Sequence, residues 1–519
     1  MNVPTPASPA QVGMWITERM GRAGTAYRMP LLVTFEGHLD APRLIEACEV
    51  LADRHPVLAT AIREHDGMPV EVPGLPPSID VTLAGDLDDL VHEEIQRPFD
   101  VEAGPLVRFR LVRVAPARHV LIIVAHHLVF DGESKDILLR DLAALYNGDA
   151  ISPLSGTYAD HAAAERARME GLLVDAREFW RERRREPGEV LLPGLSAPPD
   201  GTARSRGAAR GAVHTFRVPG LLDGGPAAAA VPGAPRVSRF ELFLASVHAL
   251  LYAYGNEEPV CAVDMSTRTP EARDHIGLFV NELPVASAPS PRTTVAELAA
   301  LLHAELRLMY RFRSVPLARA VRGLRPRTAM APISLSYRRR GPEPQFAGLR
   351  TAVDWAVFTG SVRSVLHIQA VDGPDGLDVI MQYDPRAVAG VTQTAKDLTA
   401  IMNNPDSAIG DILTGDRPTF SGDSPALSGV ARTGASGPAD EIRAIWQEVL
   451  GIDEIGDDED LFDLGGHSLT ITQIIARMRK RLGVEVSLDV FFDTPTIAGV
   501  LRSIEGAAGE EPVGVDGGR

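Results

Sequence analysis

The chain has 519 residues and a formal charge of −17, from 69 acidic and 52 basic side chains. With 45% hydrophobic and 23% charged residues it has the composition of an ordinary globular protein, long enough for about three folding units. The acidic balance excludes a phosphate-coating nucleic-acid binder and an electrostatic membrane binder. Two distant cysteines, Cys48 and Cys261, exclude a disulfide framework and a structural zinc site, and no metal is expected.

In chain order, the N-terminal stretch Met1-Asn2-Val3-Pro4-Thr5-Pro6 lacks a basic region followed by an apolar one. No stretch approaches the roughly 20 apolar residues of a membrane helix. A cytoplasmic protein without a membrane partner is therefore expected. Leu44, Ile45, Cys48 and Leu51 recur at helical spacing. Val107 to Val114 alternates apolar residues with Arg108, Arg110 and Arg113, which predicts a strand with one wet face. His119 to Ala125 is an unbroken apolar run, which predicts a central strand covered on both faces. A helix follows over 134–146.

Pro187 to Pro235 is rich in Gly, Pro and Ala and reads as a connection between lobes, with an exposed loop over 220–235. An amphipathic helix from Phe240 to Tyr254 and a short strand over 260–263 come next. Leu366 to Tyr383 reads as a hairpin through Asp372-Gly373-Pro374-Asp375-Gly376. Residues 414–436 have linker composition. Beyond them, Ile442, Ile445, Trp446, Val449 and Leu450 mark one face of a helix. The Gly-rich end, 506–519, reads as a disordered tail.

Two constellations carry chemistry. In the first, the buried strand runs into His126-His127-Leu128-Val129-Phe130-Asp131-Gly132. An imidazole at a strand end can take a proton near neutral pH, although a His-His pair can also simply cap a strand. In the second, Asp463-Leu464-Gly465-Gly466-His467-Ser468-Leu469 follows an acidic loop and opens a helix with Ile471, Ile474, Ile475 and Met478. The bland reading of Ser468 is an N-cap. No Gly-x-Ser-x-Gly elbow surrounds it, which argues against a hydrolase nucleophile.

The His-His-x-x-x-Asp-Gly pattern resembles the signature of nonribosomal peptide synthetase condensation domains, of the chloramphenicol-acetyltransferase-like superfamily. The resemblance runs over about the first 415 residues. It includes Ser8-Pro9-Ala10-Gln11-Val12-Gly13-Met14-Trp15, Arg54-His55-Pro56-Val57-Leu58, Tyr158-Ala159-Asp160 and Ile276-Gly277-Leu278-Phe279-Val280-Asn281. It departs from the family at Gly13 and Ala59, each where Arg is usual, and at Glu282, where Thr is common. These departures bear on substrate preference. Residues 437–505 resemble a peptidyl carrier domain through Phe462 to Leu469 and through Phe491-Phe492-Asp493-Thr494-Pro495-Thr496.

The resemblance implies an α/β fold of two chloramphenicol-acetyltransferase-like lobes in a V-shaped pseudo-dimer, residues 1–180 and 181–413. A small four-helix-bundle carrier follows. It implies amide formation by attack of an amine on a carrier-bound thioester, with His127 as the working base. His126, Asp131 and Gly132 complete the signature. Gly132 lies beside a candidate oxyanion donor, and Asp131 is paired with Arg268 of the second lobe. Structural support is the expectation for His126 and Asn281. Ser468 would carry 4'-phosphopantetheine. The implied partners are an upstream donor carrier, a phosphopantetheinyl transferase and an adenylating enzyme acting in trans, since the linker leaves no room for an adenylation domain. No nucleic-acid partner is implied, and a monomer is expected. The competing readings are a same-fold acyltransferase using a hydroxyl or a soluble amine, and a non-catalytic carrier and docking module.

The charge is unevenly placed. Residues 437–505 hold 14 acidic and six basic side chains, nearly half of the net charge, and seven of the acids lie between Asp453 and Asp463.

Overall fold

A computed structural model describes residues 4–83, 85–185, 190–195, 209–218, 237–321, 330–373, 376–412 and 438–508. The expected 220–235 loop, the 414–436 linker and most of the expected tail lie outside these residues. The chain divides into two compact units, the smaller of which holds the C-terminal helices.

The larger unit begins with a five-stranded sheet. Its order is Arg350–Asp354, Arg28–Glu36, Arg118–His126, Val107–Ala115, Ser78–Thr82. The apolar run from His119 to Ala125 occupies the centre, as its pattern predicts. Alternation along it serves two cores. Leu121, Ile123 and Ala125 face a core shared with the helices Ala41–Arg54 and Gly132–Asn147. Val120, Ile122 and Val124 face a smaller cluster with Leu87, Leu90 and Val91 of the helix Leu87–Gln96. One edge strand, Arg350–Asp354, comes from far along the chain and pairs antiparallel with Arg28–Glu36.

A second sheet has six strands, ordered Val280–Ala286, Val260–Ser266, Ile333–Arg339, Leu366–Gly373, Gly376–Tyr383, Ala212–Val218. The predicted hairpin is present, with Gly373 opposite Gly376. The helix Arg239–Ala253 differs from expectation. Residues Leu242 to Leu251 are all buried, because the helices Val295–Tyr310 and Val391–Met402 pack against it as well. It is a buried helix, not a half-wet amphipathic one. Cys48 and Cys261 are free thiols in these cores, and burial pushes the Cys48 thiol up to about 12.

The smaller unit contains the helices Pro438–Leu450, Ser468–Leu482, Leu488–Asp493 and Ile497–Ala508. The predicted face of the first contributes Ile442, Ile445 and Trp446. They close a core with Phe462, Ile471, Ile474, Met478 and Phe491. The last helix continues to Ala508, three residues into the expected tail, where two alanines favour helix.

Candidate active site and carrier serine

The central strand ends at His126, and residues 127–129 turn tightly into the helix Gly132–Asn147. His126 is 2% exposed. Its Nδ1 accepts from the Leu128 N–H at 3.1 Å, which caps the turn, and Phe99 and Tyr27 meet the ring edge-on. It shapes the loop. His127 is half-buried, and its backbone N–H donates to the Tyr27 carbonyl at 2.8 Å.

The His127 ring carries the chemical information. Its Nδ1 lies 2.7 Å from the Phe130 carbonyl oxygen. A carbonyl can only accept, so Nδ1 holds the proton and Nε2 is left with a lone pair. Removal from water, reinforced by the charge of Arg363, lowers the His127 pKa to about 4. The ring is thus a neutral base of fixed tautomer.

Asp131 is fully occupied. Its Oδ1 caps the helix by accepting from the Ser134 N–H at 2.8 Å, and also accepts from the Ser134 hydroxyl at 2.7 Å. Oδ2 accepts from the Phe279 N–H at 3.1 Å. Arg268 closes the pair, with Nη2 2.9 Å from Oδ2; the two side chains are 5% and 2% exposed. Arg268 also stands 2.9 Å from a Glu133 oxygen, donates to the Ala272 carbonyl and lies 4.3 Å from the Phe279 ring centre. Gly132 opens the helix, so its N–H has no intrahelical acceptor. Its carbonyl accepts from Arg338 Nη1 at 3.1 Å.

Two of the quoted segments reach this loop, through Gln11 and Phe279, and the others are bound around it. Gln11 donates to the Leu128 carbonyl at 3.0 Å and to Glu71 at 2.8 Å. Tyr158 joins Ser8 to the Leu278 carbonyl, at 3.1 and 3.0 Å. Arg54 and His55 both meet Asp141 of the following helix, at 2.8 and 2.9 Å. Against the opposing effect of burial, these bonds hold the Asp141 carboxyl down at about 2. Asn281 donates to the carbonyls of Arg313 and Val315, a structural bond.

Three nearby groups escaped sequence reasoning. Arg338 pairs with Asp136 at 2.7 Å and stacks over Trp355 at 4.7 Å. Arg363 stacks over Tyr27 at 5.3 Å. Lys135, 7% exposed, donates to the carbonyls of Pro30 and Trp355, both at 2.9 Å, and burial lowers its pKa to about 7. None sits at a diagnostic spacing from the His-His motif.

At the second site the helix begins at Ser468, but Ser468 is not its cap. His467 is, its Nδ1 accepting from the Thr470 N–H at 3.3 Å while the Thr470 hydroxyl answers at 2.6 Å. The Ser468 side chain is therefore freed from capping, and it is half-buried and unbonded among the described residues. Gly465 has φ +91°, and a Cβ on Gly466 would lie 2.6 Å from the Leu461 carbonyl oxygen. Gly466 is thus packed against Leu461 where no side chain fits. An accessible hydroxyl at a helix N-terminus suits a phosphodiester, whose charge the helix end favours.

Residues 3–333 match the family described as Condensation domain. The chain belongs to that family. Residues 440–504 match the Phosphopantetheine attachment site, so this condensation-domain chain also carries a domain for covalently attached 4'-phosphopantetheine. Similar proteins include chondramide synthase cmdD of Chondromyces crocatus, 27% identical over 442 residues, 78% of this chain and 11% of that one. Tyrocidine synthase 2 of Brevibacillus parabrevis is 30% identical over 296 residues, 56% of this chain and 8% of that one. The chain thus spans about a tenth of the length of these relatives. Among solved structures, the X-domain from teicoplanin biosynthesis has 22% identity and a TM-score of 0.65, covering 79% of this chain and 98% of that one. The condensation domain of the monacolin K polyketide synthase MokA has 18% identity and a TM-score of 0.67, covering 79% and 99%. These share the fold.

The chain therefore combines nonribosomal peptide synthetase condensation and carrier domains, of a family whose enzymes are amide-forming acyltransferases. No helix among the described residues is long and apolar enough to cross a membrane.

Proposed function

We propose that the chain forms an amide by joining a donor acyl thioester to an acceptor amine held on Ser468. The observation that carries this reading is the 2.7 Å bond from His127 Nδ1 to the Phe130 carbonyl. It leaves Nε2 unprotonated and aimed away from its own loop's acceptor. When bound, the phosphopantetheine arm supplies an activated thioester linkage. Because the thioester is activated, the protein's task is orientation and proton management.

His127 Nε2 accepts a hydrogen bond from the free amine, orients its lone pair toward the acyl carbon, and takes its proton as the C–N bond forms. The C–S bond breaks, and His127 returns the proton to the departing thiol. The Gly132 N–H, at the positive end of the helix, faces the negative charge that develops on the acyl oxygen. Arg268 and Arg338 are positioning residues: one holds Asp131, the other the Gly132 carbonyl. Ser468 carries the arm, loaded in trans by a separate adenylating enzyme, and an upstream carrier brings the donor.

The test is reconstitution. The full-length chain is loaded at Ser468 with an aminoacyl group and given a donor acyl carrier thioester. Mass spectrometry should find the amide on Ser468, and none from the His127→Ala chain. An ester, or an amide only with a soluble amine, would replace this reading with the other acyltransferase one. Equal product from His127→Ala would remove the base altogether.

A further inference from the structure

One contact between the two halves of the larger unit lies beside the base. The segment from Thr359 to Arg363 leads into the strand Leu366–Gly373 of the second sheet. It meets residues 25–27, which lead into the strand Arg28–Glu36 of the first. The Thr25 hydroxyl donates to the Thr359 carbonyl at 2.8 Å and lies 2.6 Å from the Ser361 hydroxyl. Two residues on, the Arg363 guanidinium stands 5.3 Å from the Tyr27 ring centre and donates to the Tyr27 hydroxyl. Residues 25 and 27 are thus held by residues 361 and 363 in matching order.

Tyr27 is 5% exposed, and it touches both histidines. Its carbonyl accepts the His127 N–H at 2.8 Å. Its ring meets the rings of His126 and His127 edge-on, each at 6.3 Å. The next residue, Arg28, pairs with His126 on the ladder. A group that fixes Tyr27 therefore fixes the strand end that carries the base.

The guanidinium is itself anchored from the second sheet. Glu282, which stands where Thr is common in the family, lies opposite Asp264 across the strands Val280–Ala286 and Val260–Ser266. Opposed side chains of antiparallel strands share a face, so the two carboxylates stand together, and Arg363 interacts with both. The charge of Arg363 reaches His127, where it adds to burial in keeping protons off the ring, while Asp131 opposes it. It acts on His367 of the second sheet in the same sense.

We propose that Arg363 is a positioning residue for the reaction: anchored by Glu282 and Asp264, it clamps Tyr27 and so fixes the place and the protonation of His127. Its purpose rests on the amide-forming reading. A cation this near the base keeps Nε2 free for the amine. It also shortens the stay of the proton on the ring, which favours its return to the departing thiol. The two carboxylates temper that charge, so the ring can still take the proton as the C–N bond forms.

The test is NMR of the histidine-labelled full-length chain, with the His127 signal assigned by its loss in His127→Ala. At pH 5 about a tenth of the parent ring should be protonated, since its pKa is about 4. Arg363→Gln should raise that fraction to about half, a shift of about one unit, and Arg363→Lys should match the parent. A parent ring mostly protonated at pH 5 overturns the proposal. So does a folded Arg363→Gln chain whose fraction does not exceed the parent's, or an Arg363→Lys chain that behaves like Arg363→Gln. Where Arg363→Gln fails to fold, Tyr27→Phe decides. It keeps the ring and removes the hydroxyl that Arg363 holds, so kcat should fall about tenfold with KM changed by less than about twofold. An unchanged kcat, or a loss confined to KM, overturns the clamp. The NMR fraction needs no turnover, so failure of amide formation in the reconstitution would show independently of it.

Discussion

The loop at His127 and the loop at Ser468 are built in opposite ways. The first gathers parts from far along the chain: Gln11, Tyr27, Asp131, Arg268, Phe279, Arg338. It is dense with charge, and its histidine is held neutral. The second is contiguous from Phe462 to Thr470, half-exposed, and organised by its own helix start. On the proposed function, the difference follows from what each must handle. A base works by geometry and by exclusion of water, so its pKa and tautomer must be set by many neighbours. An attachment serine must be reached by another enzyme, so it needs only an accessible hydroxyl on a firm helix.

If that contrast is right, the largest effect is local. Ser468→Ala should abolish pantetheinylation completely while the chain stays folded, read by intact mass. Retained modification would place the arm elsewhere. His127→Ala should cost about 10²- to 10⁴-fold in amide formation, the range for losing a general base, with modification of Ser468 unchanged. Arg268→Met should act on stability, because it leaves Asp131 buried and unpaired, at a cost of about 3–5 kcal/mol. Denaturant titration would read it. A change under 1 kcal/mol, on the order of an exposed pair, would mean that Asp131 is satisfied by Ser134 and Phe279 alone.

The pH dependence sharpens the same contrast. His127 and His275 are both lowered, mainly by burial, from an ordinary 6.5 to about 4. Below 6.5 the unfolded chain takes up protons that the folded one refuses. Their contribution to stability is therefore full above pH 6.5 and lost progressively as pH falls from 6.5 to 4. Catalysis should show no inflection near 6.5, since His127 stays a neutral base down to about 4. A pH–rate profile of kcat/KM with a break near 6.5 would contradict the neutral ring. Smallest is Gly277→Ala. Its Cβ would fall 2.1 Å from Tyr158 Cδ2, so the ring must shift, at about 1–3 kcal/mol in a thermal melt.

Legibility in the sequence followed the same division. The carrier loop was readable because its residues are neighbours; the bland alternative for Ser468, an N-cap, fails because His467 holds that place. Histidine is an uncommon cap, and only the Thr470 bonds reveal it. The His-His loop was readable from its apolar strand and Asp-Gly turn. Arg338, Arg363 and Lys135 were not, because strand pairing and helix packing bring them in from unrelated spacings. Glu282 was visible as an oddity, but its place opposite Asp264 on the ladder was not. The helix Arg239–Ala253 was misjudged for a related reason. Periodicity reports one buried face, and here neighbouring helices cover the others.

The strand Arg350–Asp354 has a practical consequence for recombining such proteins. It completes the first sheet from the second half of the chain. A chimera joined near residue 185 would import a foreign edge strand into the first lobe, along with foreign partners for Asp131 and Gly132. The halves are adjacent in the chain but not interchangeable, and a working splice must carry Arg268, Arg338 and residues 350–354 as a set matched to the first lobe.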